Sequence, residues 1–323
     1  PSRGLGDVYK RQIVSCAKNI LTGCMDVKPE ENVLIVTDDN KLAIGQAFYE
    51  AAKELGCEAL LMTMKERNYS GQEPPGPVAD AMQNADVVLC PTAKSLTHTN
   101  AKIAAAKNGA RIGTMPNIAE EMLSSGAMTA DYACVEALTG QVTKLLTDAK
   151  TARIEKDGYV LTIDLEGRKG VPSTGVYRTK GAAGNLPSGE AYIAPLEDGS
   201  NGEMKIDGSM VGLGKLDEPL YVKVENGKLK EIRGKRSEEL SVLLANERNA
   251  TLGELGIGTN EKAVLCGIIL EDEKVYGTVH IAFGTNVSFG GTVKADCHMD
   301  GIILKPDLYL DDQLIIKAGE FQI

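Results

Sequence analysis

Near residue 150 the character of this chain changes, and that change sets its architecture. Before it, short continuous apolar runs alternate with stretches of helical spacing. NVLIVT at 32–37 is followed by helical spacing over 42–55, closed by Gly56. Further apolar runs lie at 59–63, 87–90 and 111–115, with helices predicted at 77–84 and 100–107 and one or two more over 118–150. Runs that are apolar throughout are buried on both faces, and the helices between them supply the crossovers of a parallel sheet. After Thr151 glycine is frequent and hairpin signals take over. The clearest is Asn226-Gly227 between 221–225 and 228–232, because Asn-Gly supplies the positive φ of a type I′ turn. Another hairpin is predicted around Asp311-Asp312, and a single helix over 237–246. The pattern predicts an α/β N-terminal domain with a mainly parallel sheet over 13–150. An α+β, largely antiparallel C-terminal domain follows over 151–323.

Residues 1–12 (PSRGLGDVYKRQ) carry no helical or strand period. They resemble a translated adapter scar and are expected to be non-native, with the genuine sequence starting at Ile13. The remaining composition is that of a globular protein of 323 residues, 43 % hydrophobic and 25 % charged. A formal net charge of −10 argues against a nucleic-acid or anionic-membrane partner. No apolar run approaches the ~20 residues of a membrane helix, and no secretory signal is visible. Seven scattered cysteines without a C-x-x-C pair point to a reducing, cytoplasmic setting. Cys297 is the thiol to watch, because of its neighbours.

A doubly wound sheet invites a nucleotide, yet the fingerprints are missing. The first strand is followed by Asp38, Asp39 and Asn40 rather than a glycine-rich phosphate loop, and carboxylates there repel a pyrophosphate. No Walker loop and no G-x-S-x-G elbow occurs. Asp38 and Asp39 are expected to cap the next helix, and His98 to be a surface or capping residue.

The chemistry concentrates in the second half. His298 and Asp300 form H-x-D within ADCHMDGII, and on a strand residues i and i+2 share a face. His280 lies in VYGTVHIAFGTN, an apolar run where an ionisable group is costly unless paired or neutralised by a cation. Glu190 in GNLPSGEAYIAP and Glu254 in GELGIGTN sit beside glycines that suggest rigid turns presenting an acid. Spacing alone leaves two readings open, a metal site or a core histidine with exposed loop acids. Two imidazoles and several carboxylates suit Zn, Mn, Co or Fe(II) without selecting among them.

The order of GNLPSGE, ELGIGTN, EDEKVYGTVHIAFGTN and ADCHMDGII resembles the thermophilic-type metallo-aminopeptidase family, the aminopeptidase T or M29 group. That resemblance implies an α/β domain followed by a domain with a two-metal site, here Glu190, Glu254, His280, His298 and Asp300. It implies a cytoplasmic homodimer that removes N-terminal residues from small peptides through water activated by two Zn, Co or Mn ions. Glu254, with Glu190 second, is then the catalytic proton carrier. One departure stands out. The family tyrosine seven positions after the first histidine is Val287 here, and the interval from His280 to His298 is short. Glu271-Asp272-Glu273 is kept, and reads equally as a charged turn.

A neighbouring group, the ring-cleaving dihydroxypyridine dioxygenases, resembles the same fold with a single Fe(II). Under that alternative His280, His298 and Asp300 form a two-histidine, one-carboxylate set, and Glu190 and Glu254 support them or the substrate. A third reading is a metal-binding relative without turnover.

Overall fold

The computed structural model describes residues 2–323, with side chains from residue 8 onward. Two compact units result, each discontinuous in sequence. The first takes the chain up to Glu136 together with Gly175–Ser188, and the second Ala137–Thr174 together with Gly189–Ile323.

The first unit holds a five-stranded parallel sheet in the order Glu58–Met64, Asn32–Asp38, Val87–Thr92, Arg111–Pro116, Ala183–Asn185. Its central strand Val87–Thr92 is buried at every position, as a continuous apolar run requires. Two sequence expectations are corrected here. Residues 2–12 lie in the helix Ser2–Gly23, so the segment set aside for lack of period is helical. The buried apolar face of that helix begins at Ile13, and residues 8–12 extend it as exposed turns. Asp38 does not cap the following helix. Its buried carboxylate accepts hydrogen bonds from the Ala93 amide at 2.6 Å and the Asn40 amide at 3.1 Å, and the N-cap is Lys41. His98 is exposed beside Thr99, whose hydroxyl caps the helix Asn100–Lys107.

The second unit is built from two antiparallel sheets. One has eight strands, including the hairpin Leu220–Glu225 with Lys228–Arg233 and the pair Asp307–Leu310 with Gln313–Lys317. The other has seven, in the order Gly214–Lys215, Ser209–Met210, His298–Ile303, Val279–Gly284, Leu252–Gly258, Glu190–Ile193, Val171–Ser173. The predicted architecture is therefore the observed one, a parallel α/β unit and a largely antiparallel second half. Ile154, Leu161 and Ile163 of the larger sheet share one core with Ile193, Leu255, Ile257, Ile281, Phe283 and Ile303 of the smaller. Strand periodicity then leaves the alternate positions of the seven-stranded sheet on its opposite face. All seven cysteines are free thiols. Among the described residues no helix is long and apolar enough to cross a membrane.

Candidate metal centre

Four adjacent strands of the seven-stranded sheet bring the five predicted residues together. Glu190 opens Glu190–Ile193, Glu254 lies on Leu252–Gly258, His280 on Val279–Gly284, and His298 and Asp300 on His298–Ile303. On the histidine strand Val279, Ile281 and Phe283 enter the core, so His280 and Ala282 point the other way. His298 and Asp300 share the same face by the same alternation, since Met299 and Ile303 are core.

Glu254 reaches that face by the same alternation, since Leu255 and Ile257 are core, with a bulge just before it. Leu252 and Glu254 are two apart, yet Leu252 is core and Glu254 is not. The register shifts between them, with Leu252 opposite Phe283 and Glu254 opposite Ala282. This bulge lets Leu252 return to the core ahead of the carboxylate. Gly253 allows it, because a Cβ there would stand 2.6 Å from the Gly284 carbonyl oxygen. Gly256 gives the second clearance. Opposite His280 in the ladder, it leaves the room that the imidazole fills, and an added Cβ would meet Nε2 at 1.9 Å.

The polar atoms converge tightly. Glu254 places Oε1 3.3 Å from His280 Nε2 and Oε2 3.2 Å from His298 Nε2. His298 Nε2 is also 3.3 Å from Asp300 Oδ1, and Glu190 Oε2 lies 3.5 Å from His280 Nε2. Glu254, His280 and Asp300, all buried, each offer a ligand atom within 4.8 Å of the others. The orientation of His298 is set from behind: its Nδ1–H donates to the Thr285 carbonyl at 2.8 Å, which commits Nε2 to the cluster.

Electrostatics follow from this crowding. Burial works against the charged form of His280, but its hydrogen bond to Glu254 and the charges of Glu190 and Glu254 push it up to about 9. His298 is likewise raised well above its ordinary value, the charges of Asp300 and Glu254 outweighing burial. Burial favours neutral Glu254, yet the charge of His298 and hydrogen bonds from both imidazoles hold it at about 2. Without a cation, protons on the two imidazoles neutralise the carboxylates.

Two buried polar atoms of the cluster, Glu190 Oε2 and His280 Nδ1, have no hydrogen-bond partner. Nε2 of each imidazole faces carboxylate oxygens. Negative oxygens and imidazole nitrogens gathered in a buried space, one oxygen unpartnered, are a donor set that a divalent ion satisfies.

Lys274 was missed by sequence reasoning. Its side chain is 1 % exposed, and Nζ lies 2.6 Å from Glu190 Oε1 and in contact with Glu273. In EDEK it resembles a solvated charge run, and no sequence signal marks it as buried. Glu271 and Asp272 are buried as well; the Asp272 carboxylate accepts from the amides of Cys266 and Gly267. The charged turn expected there is instead an internal brace. Val287, where the peptidase tyrosine was expected, is 51 % exposed. The aromatic that reaches the cluster is Phe289, edge-on to His298 at 6.0 Å and to Tyr192 at 5.3 Å between ring centroids. Burial, opposed by His298, raises the Cys297 thiol, so it is not an activated nucleophile.

A family profile described as NicX, 2,5-dihydroxypyridine 5,6-dioxygenase, matches residues 12–323. The chain belongs to the NicX family. That membership overturns the expectation of a hydrolase: aminopeptidase, protease and metalloprotease are withdrawn. The physical ground for the error is that both groups share one fold. A 2,5-dihydroxypyridine dioxygenase from Pseudomonas putida KT2440 aligns with TM-score 0.80 and 20 % identity, covering 97 % of each chain. AmpT from Thermus thermophilus aligns with TM-score 0.72 and 16 % identity, covering 98 % of this chain and 100 % of that one. At those identities the likeness shows the fold alone, and the aminopeptidase is a fold relative of this NicX family member. A search of curated proteins finds no match.

Proposed function

We propose that this chain is a ring-cleaving dioxygenase acting on a dihydroxypyridine-type heteroaromatic diol, with one Fe(II) held by His280, His298, Asp300 and Glu254. The observation that carries the reading is a buried imidazole and carboxylate cluster in a chain of the NicX family. The sequence alternative named His280, His298 and Asp300; the closest-gathered trio is Glu254, His280 and Asp300, with His298 against two of them. When bound, Fe(II) in such a set supplies a redox centre with open positions for oxygen and an aromatic diol.

The chain's own residues do the rest. Glu254, held at about 2, is a poor base and serves as a fixed negative clamp between the two imidazoles. Thr285, through its carbonyl, keeps His298 turned toward the centre. The His298 side chain is 29 % exposed whereas His280 is fully buried, so a ring approaches from the His298 side. Phe289 and Tyr192 stand there as an aromatic wall against which a planar ring can pack.

Loading metal-free protein anaerobically with Fe(II), then adding 2,5-dihydroxypyridine and oxygen, tests the reading. Oxygen uptake matched by loss of the ring absorbance is expected, with none after loading with Zn(II). Fe(II)-loaded protein that binds its ion yet consumes no oxygen with any dihydroxypyridine overturns it.

A further inference from the structure

The second half of the cluster is occupied by a side chain rather than left open. Glu190 is shared: Oε2 faces His280, while Oε1 meets Lys274 Nζ at 2.6 Å. The same ammonium contacts Glu273 on its other side. The main chain of Lys274 is pinned at both polar groups, its amide donating to the Glu271 carbonyl and its carbonyl accepting from the Asn260 amide, each at 2.9 Å. The stem therefore delivers its charge to a defined point. That point is where a second ion bridging Glu190 and Glu273 would have to sit. An ammonium and a divalent cation cannot share two carboxylates in a buried space, because their repulsion is unscreened there.

We propose that Lys274 takes the place of a second cation, making this a one-ion centre, and that removing its charge opens a second divalent site between Glu190 and Glu273. The proposal deepens the single-iron reading and rests on it. Glu190 Oε2, without a hydrogen-bond partner, faces His280 and belongs to the first ion's cluster; the observation behind the proposal is the buried ammonium itself, its side chain 1 % exposed and paired with both carboxylates. Lys274 acts here as a positioning residue, holding Glu190 by one oxygen and leaving the other to the cluster.

The test is a metal count on the full chain, using Mn(II) alone as the probe. Wild-type protein is expected to stop at one ion per chain in excess Mn(II). Lys274→Gln is expected to take two and to show the spin-coupled signal of a manganese pair, while Lys274→Arg stays at one. Two ions in the wild type, or a folded Lys274→Gln that still holds one, overturns the proposal. Should Lys274→Gln fail to fold, Lys274→Met keeps the apolar stem without the charge, and the wild-type count in excess Mn(II) still decides. No ion bound by the wild type sinks the single-ion reading itself, which is a different outcome from a folded variant that stays at one.

Discussion

Glu254 Oε2 and His298 Nε2 stand 3.2 Å apart although their strands are not neighbours. The Val279–Gly284 strand runs between them, and its His280 takes the other oxygen of the same carboxylate. One side chain thus ties three strands at the point where the centre is assembled. A carboxylate with both oxygens engaged has little freedom to swing, so the donors are held in place before a cation arrives.

Neutralising that tie should cost the ion. Glu254→Gln keeps the shape but aims an NH2 group at one of the two imidazoles. Divalent-ion affinity is expected to fall by at least about 100-fold, because a direct ligand is lost and even outer partners of metal sites cost about 10–100-fold. Competition with a fluorescent chelator measures it, and an affinity within threefold of wild type would remove Glu254 from the ligand set.

Acidity should pull metal-free and metal-loaded protein in opposite directions. The folded His280 pKa of about 9 lies above its ordinary 6.5, so its contribution to metal-free stability is complete below pH 6.5 and is lost as pH rises through 9. The loss is on the order of 3 kcal/mol for this buried group. Divalent-ion affinity should rise over the same interval, because the cation displaces the proton. Thermal melts and metal titrations across that range, compared with His280→Gln, check both slopes.

Gly256→Ala probes the clearance over which His280 lies. The new methyl would overlap Nε2 and force the ring away from Glu254. A loss of about 1–3 kcal/mol in stability is expected, together with loss of retained metal. Gly140→Ala, at a helical position with open space around it, is the control: it should leave retained metal unchanged and raise stability by about 0.5–1 kcal/mol through helix propensity. Urea melts and elemental analysis read the two effects.

Phe289→Leu addresses the wall. Removing an edge-on aromatic contact of about 0.5–1.5 kcal/mol should raise KM for a dihydroxypyridine roughly three- to tenfold. The value of kcat should stay within about twofold, since Phe289 carries no group that moves a proton. Steady-state oxygen uptake separates the two constants, and a fall in kcat alone would place Phe289 elsewhere in the reaction.

Much of the layout could be read in advance, for identifiable reasons. Val87–Thr92 announced itself by unbroken apolarity and the Asn226-Gly227 hairpin by turn chemistry, both local signals. His298 and Asp300 were legible because strand periodicity alone places them on one face. Glu254 was read from its glycines as a turn acid, whereas it lies within a strand and points away from the core by alternation with Leu255 and Ile257. Lys274 was illegible because a buried ammonium and a solvated one share the same letters; only the fold shows that Glu190, distant in sequence, meets it. The reaction class was misread because two families share this architecture, and the one side chain noted as departing from the peptidase pattern, Val287, lies in a short turn with no period of its own.

The extra residue at Gly253 also constrains how this chain can change over generations. Losing that one codon would restore an even ladder, with Leu252 still facing the core and the acid at 254 still facing the imidazoles, and would take out the local bend and twist that a bulge imposes. Neighbouring loops can lengthen or shorten freely by comparison. A one-residue slip between Glu254 and Gly256, by contrast, would put the acid and the clearance for His280 on opposite faces.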